Sequence, residues 1–157
     1  MGRLTLSFGA GLMSSLSDFA RLVPLDHGLC VVVTRRADMT PHTSVVNAGV
    51  LPHPSTGVES VAFVSVSRTR KLVNLRADPT IAVVIRAGWE WVSVEGRASL
   101  IGPDDPVAGV DEERLRLLLR EIFSAAGGTH ENWEEFDSTM KRERRTAVFV
   151  APHSVVS

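Results

Sequence analysis

A single cysteine in 157 residues excludes any intrachain disulfide framework, and Cys30 sits inside the apolar run 29–33. So thiol-poor a chain suits a reducing, cytoplasmic setting. Its valine neighbours raise a thiol pKa rather than lower it, so Cys30 reads as a small core residue and not a nucleophile. Excess charge is missing as well. Seventeen Lys and Arg against eighteen Asp and Glu leave a formal charge of −1, which excludes a broad basic face for nucleic acid and a polybasic membrane anchor. Nowhere do about 18 apolar residues run together, so no transmembrane helix is expected. The opening MGRLTLSFGAGLMSS has one basic residue and a broken apolar stretch, unlike a signal peptide. Residues 1–13 read as a flexible leader and 14–157 as a single domain.

Motifs for self-sufficient catalysis are lacking too. There is no GxSxG elbow, Walker loop, HExxH or CxxC. The Gly9–Gly11 triplet has no apolar strand before it and no third glycine, which makes it a poor dinucleotide loop. His27, His42, His53, His130 and His153 are scattered, so no metal set is assigned. Asp104-Asp105 and Glu134-Glu135 read as solvated pairs. No residue is therefore assigned a catalytic role. A chain of this kind can leave the hard chemistry to a bound organic cofactor and supply position and electrostatics.

What is present is SVSRTRKLVNLRADP, from Ser65 to Pro79. An apolar strand stops, and Arg68, Arg70 and Lys71 follow within four positions before a short helix closed by Asp78-Pro79. Cations gathered where a strand gives way to a helix start mark an anion site, since free amides and the positive helix end point there too. The alternative is a solvated helix face. Asn47-Ala48-Gly49 also admits two readings: small residues that let a flat ring approach the backbone, or a barrel bend.

The remaining pattern favours strands. Ser17-Asp18 caps a short helix carrying Phe19, Leu22 and Val23, which Pro24 limits. Apolar or β-branched runs at 29–34, 42–51, 59–66 and 81–85 read as strands. From Trp91 to Leu100, Val92, Val94, Gly96, Ala98 and Leu100 alternate with polar positions, the mark of a strand with one packed face. Residues 113–123 carry a helical apolar stripe, ended by Gly127-Gly128. Thr129 offers a cap for a second helix bearing Trp133, Phe136 and Met140, and 146–150 returns as a strand. Neighbouring strands with inserted helices predict a mainly β fold, an antiparallel barrel with appended helices.

Taken together, SVVNAGVL, RTRKLVNLRADP, AGWEWVSVEGRASLIGPDD and GTHENWEEFDSTMKRERRTAVFV resemble the split β-barrel flavin and deazaflavin oxidoreductases, which are pyridoxamine 5'-phosphate oxidase-like. The resemblance runs from Phe19 to the C-terminus and is nearest the actinobacterial branch that uses the deazaflavin coenzyme F420. It implies a split barrel and a homodimer with cofactor sites at the interface. It also implies a cofactor ring against Ser44, Val45, Val46, Asn47 and Ala48, and a phosphate held by Ser65, Ser67, Arg68, Arg70, Lys71 and Asn74. Lys71 matches the lysine of the family's KxxNL pattern. The arginine common two residues before it is Thr69 here, so Arg68 or Arg70 takes its place. Trp89 matches an aromatic lining the cofactor tail, against the alternative of a barrel-end core residue.

The activity so implied is hydride transfer from reduced F420 to an electron-poor small organic acceptor. FMN on the same scaffold is the alternative, and a non-catalytic flavin or tetrapyrrole carrier is a third reading. The C-terminal PHSVVS lacks the basic and aromatic segment of vitamin B6 oxidases, which argues against that substrate.

Overall fold

The computed structural model describes residues 15–157, so the stretch read as a leader lies outside the described residues. Six antiparallel strands close a barrel in the order β1-β2-β3-β6-β5-β4. They are β1 (Leu29–Arg35), β2 (Pro41–Pro52), β3 (Glu59–Val66), β4 (Thr80–Ala87), β5 (Glu90–Ile101) and β6 (Arg145–Val156). Closure is made by β1 against β4, with Val32 opposite Val83. Helix α1 (Leu16–Leu22) precedes the barrel, α2 (Arg70–Ala77) links β3 to β4, and α3 (Glu112–Ala125) and α4 (Trp133–Arg142) link β5 to β6.

Strand alternation sorts the side chains. Val32, Val46, Val61, Phe63, Val83, Ile85, Val92, Val94, Val148 and Val150 fill the interior, with Phe19, Leu22, Leu72 and Leu75 from the helices. The opposite faces of β3 and β6 carry Ala62, Ala147 and Phe149 into a second core against Leu118, Leu119, Ile122 and Phe136. These two strands are buried on both sides, so they read as continuous apolar runs while β5 alternates.

Several boundaries differ from the sequence expectation. Helix α1 is capped by Ser15, not Ser17, and the Asp18 carboxylate accepts from the Ser15 amide at 2.8 Å. Helix α4 is capped by Asn132 rather than Thr129, with its side-chain oxygen accepting from the Glu135 amide at 3.1 Å. The last strand continues well past Val150 despite Pro152. A register shift at Glu95/Gly96 sets Gly96 opposite Pro152 and Glu95 opposite Ser154, leaving His153 as the extra residue of a bulge beside the proline, which cannot donate to the ladder. Gly96 permits this: a Cβ there would lie 2.0 Å from the Ala151 carbonyl oxygen.

Candidate anion-binding site at the β3–α2 junction

The abrupt end of β3 places its basic residues at one end of the barrel. Thr69 is the N-cap of α2 in extended conformation, but its hydroxyl turns back to the Val66 carbonyl at 3.0 Å and to Ser65 Oγ at 3.1 Å. No side chain caps the helix and no acidic residue stands in its first turn. The positive end of α2 is thus left uncompensated by the protein.

Lys71 is half-buried, and among the described residues it has no carboxylate partner. Burial pushes its ammonium pKa below the ordinary value, and Arg145 pushes it further the same way. Arg68 and Arg70 are exposed and likewise make no ion pair among the described residues. Elsewhere the arginines are mostly engaged: Arg76 grips Asp105, Arg144 holds Asp104, Arg35 meets Asp78, and Arg116 and Arg120 share Asp137. Unpaired cations around one helix end are what an anion site requires.

The serines divide. Ser65 is buried and bonded to Thr69. Ser67 is already saturated within the fold: its hydroxyl donates to Asp104 at 2.6 Å and accepts from Arg76 at 2.9 Å. It braces the strand-to-helix turn, with Arg76 also donating to its carbonyl. Asn74 is buried and donates to Thr34 Oγ1 at 3.1 Å, tying α2 to β1 beneath the site.

On β2 the five residues assigned to a ring cannot all present side chains to one ligand, because strand neighbours face opposite ways. Val46 and Ala48 point into the barrel and are buried, whereas Val45 is 64% exposed on the outside. Asn47 also faces out and donates to the His27 carbonyl at 2.7 Å. Nor does Gly49 leave room for a flat ring. A Cβ at Gly49 would lie 2.3 Å from the Ala125 backbone, so the end of α3 occupies that space. Trp89 is 99% exposed on the β4–β5 turn, which removes the core alternative for it.

Two residues near Lys71 stand out. Ser44 Oγ and His42 Nδ1 are enclosed atoms of half-buried side chains, and among the described residues neither has a hydrogen-bond partner. The imidazole pKa of His42 is lowered by burial, then by the charges of Arg36, Lys71 and Arg70, so β2 and the start of α2 converge there. Sequence reading passed over His42 as one of five scattered histidines. Its signal was parity: it shares the inward register of Val46 and Ala48, where a polar residue needs a reason.

Cys30 is buried and its thiol is pushed up to about 12 by burial. A separate cleft of about 750 Å³ lies between the loop after β5, α3 and α4, lined by Ile101, Val107, Leu119 and Met140. Its rim cations are bound in ion pairs, Arg116 with Asp137 and Lys141 with Glu112. Among the described residues its lining therefore offers no unpaired cation, unlike the junction.

A family model, pyridoxamine 5'-phosphate oxidase, matches residues 16–150. The chain belongs to the pyridoxamine 5'-phosphate oxidase family. No curated protein matches the sequence significantly. Among solved structures, a conserved hypothetical protein of Mycobacterium tuberculosis is 18% identical, with 90% of this chain and 82% of that one covered at a TM-score of 0.64. A structure named F420 reductase is 14% identical over 85% of this chain and 93% of its own, at 0.57. A pyridoxamine 5'-phosphate oxidase-related FMN-binding protein of Nostoc punctiforme is 13% identical over 88% and 78%, at 0.61. At such identities these likenesses establish the shared fold, the antiparallel barrel of this family. Among the described residues no helix is long and apolar enough to cross a membrane.

Proposed function

We propose that this chain is a flavin-class oxidoreductase of the F420-using, actinobacterial type, which passes a hydride from the reduced deazaflavin to an electron-poor small organic acceptor. The observation that carries the reading is the uncompensated positive end of α2, where Arg68, Arg70 and Lys71 stand unpaired among the described residues. The family match and the F420 reductase among the structural likenesses support it. FMN on the same scaffold is the second reading, supported by the FMN-binding likeness.

When bound, the cofactor supplies the hydride chemistry. The chain's part is to bind and orient. Lys71 and Arg70 hold the phosphate, Arg68 adds charge at the rim, and Asn74 and Ser67 fix the turn that aims them. Lys71 is half-buried, so its charge acts through less water than a surface lysine's. A reducing, cytoplasmic setting accords with the one buried thiol.

We further propose a homodimer. On the outside of the barrel, Val45, Val31 and Val84 lie in register across β2, β1 and β4, with Val45 and Val31 exposed and Trp91 nearby. An exposed apolar row of this kind suits a second copy, and Trp89 at the adjoining turn is free to reach it.

The deciding experiment is a fluorescence titration of the purified protein with F420 and with FMN. Micromolar or tighter F420 binding is expected. FMN binding without F420 binding would move the assignment to the second reading, and binding of neither would overturn both. Turnover of bound reduced F420 with a panel of conjugated enones then separates an enzyme from a carrier.

A further inference from the structure

We propose that the cleft between the loop after β5, α3 and α4 binds one uncharged, mainly apolar small molecule, at a site separate from the β3–α2 junction. Its walls carry Ile101, Val107, Val110, Leu115, Leu119 and Met140. Val107, Val110, Leu115 and Met140 are half-buried: each packs against the second core and also lines the cleft. At about 750 Å³ the space has the size of a small-molecule pocket. Apolar side chains gathered in a concavity with a polar rim are the usual form of such a site.

The fold holds the walls apart. Residues 102–111 contain two bridged turns, Gly102 with Asp105 and Val107 with Val110. Asp104 fastens that loop to Arg144, and Asp105 fastens it to Arg76 at 2.7 Å. Between the helices, Arg116 reaches Asp137 at 2.8 Å and Lys141 meets Glu112 at 2.8 Å. Closing the cleft would pull these pairs out of register. A ligand therefore finds the cleft already shaped, with little ordering to oppose its binding.

The rim decides the charge of the occupant. Four cations line the cleft, Arg116, Lys141, Arg144 and Arg145, against four anions, Asp111, Glu112, Glu113 and Asp137. Each cation already has a carboxylate, with Asp104 serving Arg144 and Glu143 serving Arg145. Asp111 accepts from the Arg114 amide at 2.7 Å as the cap of α3. A charged ligand would have to compete with these partners, whereas a neutral one leaves every pair in place. Ser138 adds one polar handle: its hydroxyl faces the cleft rim and makes no hydrogen bond among the described residues. Met140, unbranched and polarizable, lets the wall adapt to an irregular apolar shape.

A matched pair of dyes tests both shape and charge. Phenylnaphthylamine is neutral, and anilinonaphthalene sulfonate adds one negative charge to the same skeleton. Both would be titrated by fluorescence into the full chain, and by equilibrium dialysis with saturating F420 or FMN present. The neutral dye should bind at micromolar concentration, about tenfold tighter than the sulfonate, and neither cofactor should displace it. Leu115→Trp and Met140→Trp fill the cleft from α3 and from α4, and each should weaken the neutral dye about tenfold while melting near the wild-type temperature. Val31→Glu, on the exposed row of β1, should leave dye binding unchanged. A wild type that binds no neutral dye overturns the proposal, as does equal or tighter binding of the sulfonate. Displacement by cofactor, loss of binding in Val31→Glu, or full binding in a folded tryptophan variant also overturns it. Nuclear Overhauser transfer between the bound dye and the Met140 methyl group gives a reading that needs no variant: transfer upholds the site, and its absence overturns it. The cleft shares no residue with the unpaired cations of the junction, so failure here leaves the flavin-class reading to its own titration.

Discussion

Replacing Lys71 by alanine should separate binding from stability. Lys71 has no carboxylate partner among the described residues, is partly desolvated, and stands near a second cation, Arg145. Its removal takes no ion pair from the ligand-free protein and relieves a repulsion. The folded state should lose only the packing of the aliphatic stem, which Lys71→Met restores. The bound state is different. A charge-assisted hydrogen bond to a phosphate is worth about 1.5–3 kcal/mol, which corresponds to a loss of roughly ten- to hundredfold in affinity. Arg76→Ala is the control, because Arg76 is engaged with Asp105 at 2.7 Å and with Ser67 at 2.9 Å. It should lower the melting temperature, and affinity should fall only as far as the turn loosens. The assay is a pair of measurements on each variant, a thermal melt without ligand and a fluorescence titration with F420 and FMN. If Lys71→Ala and Lys71→Met bind as the wild type does, Lys71 is not the anchor. If the ligand-free Lys71→Met melts far below wild type, the lysine is structural and the argument from its missing partner is wrong.

Three other outcomes follow from single features. Gly96→Ala should unfold the β5–β6 bulge or lower the melting temperature steeply, since a Cβ at 2.0 Å from a backbone carbonyl oxygen cannot be relieved by a side-chain rotation; a melt within a few degrees of wild type would refute the packing account. The Asp104 carboxyl is held well below its ordinary range by hydrogen bonds from Arg144 and Ser67. A carboxyl depressed in the folded state stabilises at pH above its unfolded value near 4, and that contribution fades as pH falls toward the folded value. Asp104→Asn should therefore melt below wild type at pH 7, with the gap narrowing below about pH 4; a gap independent of pH would show another cause. Val31→Glu, in the middle of the exposed apolar row, should shift the protein from dimer to monomer in light scattering, whereas a wild type that is already monomeric at micromolar concentration rejects the interface.

The barrel was legible because its signals are local. Alternation in β5, the unbroken apolar runs of β3 and β4, and the stripe on α3 each follow from which faces those elements bury. What escaped was set by partners distant in sequence. At Gly49 space for a ring and a barrel bend both stayed open, because nothing local says that Ala125, at the far end of α3, fills that space. That Ser67 also braces the turn was not legible, because Asp104 and Arg76 are invisible at position 67 until the chain folds. The length of β6 was missed because proline is read as a strand breaker, and only the register shift opposite Gly96 accommodates it. The cationic cluster was legible for the opposite reason: Arg68, Arg70 and Lys71 are adjacent in the chain, and no distant residue neutralises them among those described.

That last asymmetry bears on function more than any single contact. A sequence with nearly equal numbers of cations and anions can pair most of its arginines, and this one does so at Arg21, Arg35, Arg76, Arg114, Arg116, Arg120, Arg144 and Arg145. With eighteen carboxylates available, unpaired charge at one helix end is not a shortage of partners. It coincides with the two orphaned atoms of β2, so electrostatic and hydrogen-bonding deficits fall at the same end of the barrel. Arg36, Arg86, Arg97 and Arg142 also stand without an ion pair among the described residues, but singly on the open surface, where water relieves them at little cost. Half-buried Lys71, the exposed Arg68 and Arg70 and the two enclosed atoms of β2 share one chemical sense, which suits an acceptor-rich anion. A ligand that matched them would be anionic, rich in acceptors and able to sit between α2 and β2. The phosphate of a flavin-class cofactor has those properties.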